Sequence, residues 1–286
     1  MCGHCGCGEG EAVIRRPGAG VGEEDRPSHH PHPHHHHPHP PEHRHVANAS
    51  DGTSGPEERL EARILAENDR LAARNRAFFA GREILAVNLL GGPGAGKTTL
   101  LEALVPRLGP RVPVFVVEGD QATDRDGARI RAAGAPVVQV NTGTGCHLDA
   151  AMVARAVAEL APTAGSWLMI ENVGNLVCPA LFDLGESVRL VLASPTEGED
   201  KPLKYPHIFR SADLVLLAKA DLLGPLGFDR DAFAAALDAV APGCPWMEIC
   251  APDGTGLEGL IGWLEERHRR IRARAPRVLL DGEVGR

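Results

Sequence analysis

From residue 84 onward, short uninterrupted apolar runs alternate with stretches whose apolar positions recur every three or four residues. The runs are Ile84–Leu90, Val112–Glu118, Val137–Val140, Trp167–Glu171, Val188–Ala193, Leu214–Ala218 and Met247–Ile249. Their length and apolar continuity predict strands buried on both faces. Between them the spacing predicts helices at Thr98–Leu108, Ala128–Ala133, Leu148–Leu160, Arg230–Val240 and Leu257–Ala273. This alternation predicts an α/β fold with a mostly parallel sheet of about seven strands flanked by helices. Ahead of it, Pro56 suits the first turn of a helix running to about Phe79, with Leu60, Ile64, Leu65, Leu71 and Phe78 on its apolar side and Gly81 ending it.

The segment before that helix breaks the pattern. From Cys2 to Gly55 the chain is rich in Gly, Pro and His and nearly devoid of large apolar residues, so it cannot bury enough surface to offset its ordering entropy. The expected division is a disordered tail, residues 1–55, and one globular domain, residues 56–286. Of the 14 histidines, 11 fall in the tail. A net charge of −8 and a pI near 6.0 exclude a nucleic-acid surface, which needs clustered cations. No apolar run approaches the ~18 residues needed to cross a bilayer, and Met1-Cys2-Gly3-His4-Cys5 lacks the apolar centre of a signal peptide. A cytoplasmic protein is therefore expected. Seven cysteines, three of them crowded at the N-terminus, suit thiolate chemistry in a reducing compartment better than a disulfide framework.

The first strand runs directly into Gly91-Gly92-Pro93-Gly94-Ala95-Gly96-Lys97-Thr98, followed by Thr99. This is the G-x-x-x-x-G-K-[ST] phosphate loop in the strand-to-helix setting that it requires. Its glycines let backbone N–H groups converge on phosphate oxygens, Lys97 would reach the β- and γ-phosphates, and the Thr98 hydroxyl would ligate Mg²⁺. Trp167–Ile170 ends in Glu171-Asn172-Val173-Gly174, where such proteins place a Mg²⁺-side carboxylate and a glycine whose N–H senses the γ-phosphate; Glu171 stands where Asp is usual. A second carboxylate, Asp120, ends the strand Val112–Glu118 at the same sheet edge and would hold Mg²⁺ through water. Asp124 and Asp126 are read equally well as helix caps.

Farther on, Ala218-Lys219-Ala220-Asp221 is similar to the guanine-reading N-K-x-D without its Asn. Lys219 would lie along the base and Asp221 would accept the two N–H donors that guanine has and adenine lacks. Cys250-Ala251-Pro252-Asp253-Gly254 is similar to the loop whose backbone, at Ala251, meets the base carbonyl. Order and spacing fit a GTPase binding GTP and GDP.

Two clusters have metal-ligand character. Cys2, Cys5 and Cys7 form C-x-x-C-x-C, a compact soft-ligand site for Ni²⁺, Zn²⁺ or Cu⁺. Ten histidines then lie between His29 and His45, interleaved with prolines, a composition suited to metal storage or buffering. In the globular part, Cys146-His147 sits on a Gly-flanked loop and Cys178 follows the Glu171–Gly174 turn, so the three would converge as metal ligands. Cys244 and Cys250 are assigned structural roles, and His207 and His268 to the surface.

Taken together, M-C-x-x-C-G-C-G-E-G at the head, G-x-P-G-x-G-K-T-T at 91–99, E-G-D-Q at 118–121, N-T-G-x-G-C-H-L-D-A at 141–150, E-N-V-G-N-L-V-C-P at 171–179 and E-G-E-D-K-P-L-K-Y-P at 197–206 resemble the hydrogenase nickel-incorporation GTPases, the HypB family, over nearly the whole chain. The resemblance implies a tight nickel site at Cys2, Cys5 and Cys7. It also implies a second nickel or zinc site at Cys146, His147 and Cys178, in a nucleotide- and metal-dependent homodimer. GTP hydrolysis would time nickel transfer to the large-subunit precursor of a [NiFe] hydrogenase, with a HypA-type metallochaperone as partner. Ala218 departs from the family Asn. Two alternatives remain: a nickel or zinc storage protein on a largely vestigial GTPase fold, and a urease-type nickel-insertion GTPase, which the N-terminal cysteine motif disfavours.

Overall fold

The computed structural model describes residues 13–15, 55–120, 125–143 and 145–274. Helix α1 (Pro56–Gly81) precedes an alternation of β2 (Leu85–Gly91), α2 (Lys97–Leu108), β3 (Val114–Asp120), α3 (Arg125–Ala132), β4 (Val137–Asn141), α4 (Ala150–Leu160), β5 (Trp167–Glu171), α5 (Cys178–Leu181) and β6 (Val188–Ala193). Then come α6 (Lys201–Lys204), α7 (Pro206–Arg210), β7 (Leu214–Leu217), α8 (Arg230–Val240), β8 (Trp246–Glu248) and α9 (Leu257–Arg274). Strands β2 to β8 pair in parallel in the order β4-β3-β5-β2-β6-β7-β8. Seven parallel strands flanked by helices match the predicted class. An eighth strand, β1 (Val13–Arg15), pairs antiparallel with β4 at the sheet's edge. It falls inside the segment expected to be disordered, where the apolar pair Val13-Ile14 meets the edge's unpaired backbone groups. The rest of that segment, with Cys2, Cys5, Cys7 and the histidine tract, lies outside the described residues.

Parallel strands covered on both faces are largely apolar, and β2 is buried at every position, its polar Asn88 included. Alternation divides the strand residues between the two layers. Val87, Leu89, Leu190 and Leu192 pack with Leu100, Leu104, Leu260 and Leu264 of α2 and α9. Val191, Ala193, Val215 and Leu217 face Phe233 and Leu237 of α8, and Ala86, Val117 and Ile170 face Val153 of α4 and Phe79 of α1.

Helix α1 extends slightly beyond its predicted end and turns inward only part of the predicted face, with Leu65 and Leu71 half-buried. Asn68, Ala72, Asn75 and Phe79 are buried, whereas Leu60, Ile64 and Phe78 are exposed. Helix α4 begins two residues later than predicted because Asp149 caps it, its Oδ1 accepting the Met152 N–H at 2.7 Å. Among the described residues no helix is long and apolar enough to cross a membrane.

Candidate functional site

In an open parallel sheet, ligands sit beyond the carboxyl ends of the strands, and here β2, β3, β5 and β7 deliver Gly91, Asp120, Glu171 and Lys219 to one edge. A cleft of about 530 Å³ opens there. Its lining includes Pro93, Gly94, Gly96, Lys97, Thr98 and Thr99 from the phosphate loop, with Asp120, Glu171, Gly174 and Lys219 opposite. Gly94 (φ 71°) and Gly96 (φ 105°) take left-handed backbone that favours glycine. Gly174 serves close approach instead, since a Cβ there would lie 3.0 Å from Pro93 Cα. The turn after β5 therefore rests directly on the loop. Gly91 and Gly92 do not line the cleft but accept from Lys97 Nζ through their carbonyls, at 3.2 and 3.3 Å. Ala95 belongs to the core.

Lys97 is buried, and burial pulls its ammonium below the usual lysine range, opposed by the carboxylates of Glu171, Glu197, Asp126 and Glu118. Thr98 Oγ1 donates to Glu171 Oε1 at 2.6 Å. The other oxygen, Oε2, is buried without a hydrogen-bond partner. Burial pushes the Glu171 carboxyl up to about 7, opposed by the Thr98 hydrogen bond and the Lys97 charge. A buried, unsatisfied carboxylate oxygen beside a threonine hydroxyl is a donor set that fits a hard divalent cation such as Mg²⁺.

Asp126, in the first turn of α3, and Arg129 also line the cleft. Arg129 pairs with Glu102 at 2.6 Å and with Asp126 at 3.0 Å. In the sequence, Arg129 reads as one of many solvated helix cations, with nothing to mark it for the cleft. Asp124 lies outside the described residues. On the far side, Lys219 takes left-handed backbone (φ 57°), and Asp221 Oδ1 accepts from the Cys250 thiol at 3.3 Å. Cys250 is buried, so Asp221 and Ala251 occupy neighbouring loops held by the end of β8. Neither lines the cleft.

Cys146, His147 and Cys178 offer ligand atoms that lie within 4.8 Å of one another, the convergence expected from their loops. Two soft thiolates and an imidazole are a donor set for nickel or zinc. Burial pulls the His147 imidazole below the usual histidine range, which favours the neutral, ligating form. The cluster is joined to the cleft through Asn172, whose role no sequence spacing reveals. Its Oδ1 accepts both the Leu148 N–H at 3.1 Å, next to His147, and the Val173 N–H at 3.0 Å, next to Gly174. Behind it, Asn88 Nδ2 donates to Glu186 Oε1 at 3.1 Å, and Glu186 Oε2 accepts the Leu184 N–H at 2.7 Å. From the other wall, Cys178 follows Gly174 by four residues.

His268 is not a surface residue. It is buried, its Nδ1 accepting from Trp167 Nε1 at 2.8 Å and its Nε2 lying 2.8 Å from the Glu83 carbonyl. The bulky, buried Trp167 needed a partner for its N–H.

Residues 85–248 match the family model described as CobW/HypB/UreG, nucleotide-binding domain. The chain is 46% identical to the hydrogenase maturation factor HypB of Azotobacter vinelandii over 294 residues, covering 96% of this chain and 95% of the relative. Among solved structures, HypB from Archaeoglobus fulgidus is 38% identical with a TM-score of 0.66, covering 71% of this chain and 99% of its own. HypB from Helicobacter pylori, solved in complex with nickel, is 35% identical with a TM-score of 0.67, covering 71% and 96%.

Proposed function

Because this chain belongs to the CobW/HypB/UreG family, among the hydrogenase maturation factors, we propose that it is a GTPase that binds nickel and assists its insertion into the large subunit of a [NiFe] hydrogenase. The observation that carries this reading is the adjacency of two sites. A phosphate-loop cleft with an orphaned Glu171 oxygen shares the Glu171–Gly174 turn with a Cys-His-Cys cluster.

In this reading the loop N–H groups and Lys97 hold the triphosphate, and Asp221 and Lys219 read guanine beside the backbone of Ala251. Thr98, Glu171 and, through water, Asp120 would hold Mg²⁺, which would supply positive charge against that developing on the phosphate oxygens. Water bonds to the γ-phosphorus as the bond to the bridging oxygen breaks, its proton passing to a γ-phosphate oxygen, and GDP leaves with the bridging oxygen. Lys97, already desolvated, is worth more to the transition state than the same charge in water. Gly174 loses its γ-phosphate contact on hydrolysis. Asn172 and the four-residue link to Cys178 pass the change to the metal ligands.

Nickel is the cargo, zinc a second occupant of the same ligand type. The thiolates of Cys2, Cys5 and Cys7 form a separate tight site that loads it. A homodimer sharing the cluster, a HypA-type partner and the hydrogenase precursor complete the proposed pathway. The test is GTP turnover with nickel binding in the same samples. Lys97→Ala should lower kcat by about 10²–10³ and leave nickel stoichiometry intact. The histidine tract and Ala218 favour a second reading, a metal store with a largely vestigial GTPase. Stoichiometry well above two nickel per chain with negligible turnover would select it.

A further inference from the structure

Helix α1 contributes nothing to the nucleotide cleft, yet its inward face carries two buried asparagines. Asn68 and Asn75 are 5% and 7% exposed, and a buried amide is tolerated only when hydrogen-bonded. Their partners lie on the two segments that carry the Cys-His-Cys cluster. Asn68 Oδ1 accepts the Ala150 N–H at 2.9 Å, and its Nδ2 donates to the Asp183 carbonyl at 2.8 Å. Asn75 Nδ2 donates to the Ala150 carbonyl at 2.9 Å and to the Leu184 carbonyl at 3.0 Å. Ala150 follows His147 by three residues, and Asp183 follows Cys178 by five. The helix therefore bridges the two ligand-bearing segments.

Two further contacts tighten the bridge. Arg76 Nη2 donates to both Asp183 oxygens, at 2.7 and 2.6 Å. A Cβ on Gly185 would lie 2.5 Å from the Ala72 carbonyl oxygen, so this segment seats directly on the helix backbone. Between them, Phe182 lays its ring on His147, with centroids 3.8 Å apart and planes inclined by 26°.

We propose that Asn68, Asn75 and Phe182 are positioning residues of the Cys146–His147–Cys178 centre: the asparagines fix the separation of its two segments, and the Phe182 ring fixes the orientation of the imidazole. The proposal rests on the reading of that cluster as a metal site. Its chemical basis is general. Ligands drawn from two segments must be ordered before they bind, and groups that order them carry part of the affinity without touching the metal.

Cobalt(II) is the probe, because thiolate-to-cobalt charge transfer reports cysteine ligation and is silent to the tail imidazoles. Cys2, Cys5 and Cys7 are replaced by alanine in the full chain to remove the tail thiolates. In that background Cys146→Ser and Cys178→Ser must each weaken the band and together abolish it; if it persists unchanged in the double variant, the metal-site reading itself fails, and the proposal with it. With that control met, Phe182→Leu should weaken cobalt binding about 10–100-fold and alter the ligand-field spectrum. Phe182→Tyr, which keeps the ring, should restore both. Asn75→Leu should weaken binding in the same direction. A folded Phe182→Leu variant with unchanged affinity and spectrum overturns the proposal, even with a lowered thermal midpoint. So does failure of Phe182→Tyr to rescue. Phe182 is only half-buried, which keeps this arm readable if Asn75→Leu does not fold.

Discussion

Glu171→Gln should stabilise the nucleotide- and metal-free protein while destroying its reaction. Glu171 is buried with one oxygen satisfied by Thr98 and the other by nothing. Burial raises its carboxyl from 4.5 to about 7. The folded state therefore holds this proton more tightly than the unfolded chain. Stability falls as pH rises through the window from 4.5 to about 7 and is flat above it. At 1.36 kcal/mol per pH unit, the rise corresponds to about 3 kcal/mol lost at pH 8. Glutamine keeps an acceptor for Thr98 and removes the charge, so it should recover most of that at pH 8 and little near pH 5. The assay is urea unfolding of both forms in EDTA at the two pH values. Turnover with Mg²⁺ should fall in the same variant, since the proposed cation site loses its charged oxygen. Equal midpoints at pH 8, or the same gain at both pH values, would refute the assignment of a buried, unmet charge at this position.

His268 should produce the opposite trend. Burial holds its imidazole below the usual 6.5, so its contribution is complete above 6.5 and is lost as pH falls below it. In the Glu171→Gln background, unfolding at pH 5.5 against pH 7.5 should show this loss, and His268→Gln should flatten the slope. At the base site, Asp221→Ala should bring GTP and GDP affinities down to those of the adenine nucleotides, a loss of about 1–3 kcal/mol. Ala218→Asn should tighten GTP and GDP together, both read by competition binding.

The phosphate loop, the β5 turn and the succession of strands and helices along the chain were legible in the sequence because each is set locally, by glycines that permit a backbone path and by apolar runs too short for helices; the order of the strands within the sheet was not. The cysteine cluster was legible for a related reason: Gly143, Gly145 and the β5 turn fix where its segments begin. The inward face of α1 was legible only in part, at the half-buried Leu65 and Leu71. Leu60, Ile64 and Phe78 have the stronger apolar signal, but the face that packs is Asn68, Ala72, Asn75 and Phe79. Backbone groups of two distant segments, invisible to any spacing rule, select the asparagines. His268 was hidden likewise, because its partners are Trp167 and the Glu83 carbonyl, far away in sequence. Helices of four or five residues, such as α5 to α7, are shorter than the window in which a 3.6-residue period can be seen.

Nucleotide and metal are proposed to act on one another through the turn that both sites share. Nickel titration decides it, in the full chain with Cys2, Cys5 and Cys7 replaced by alanine, loaded either with GDP or with a non-hydrolysable GTP analogue. Nickel affinities should differ by about 5–150-fold between the two forms, with the same factor returned in nucleotide affinity when nickel is bound. Asn172→Ala should shrink that factor. Identical nickel affinity in the GDP and analogue forms would contradict the account and leave two adjacent sites without a common purpose.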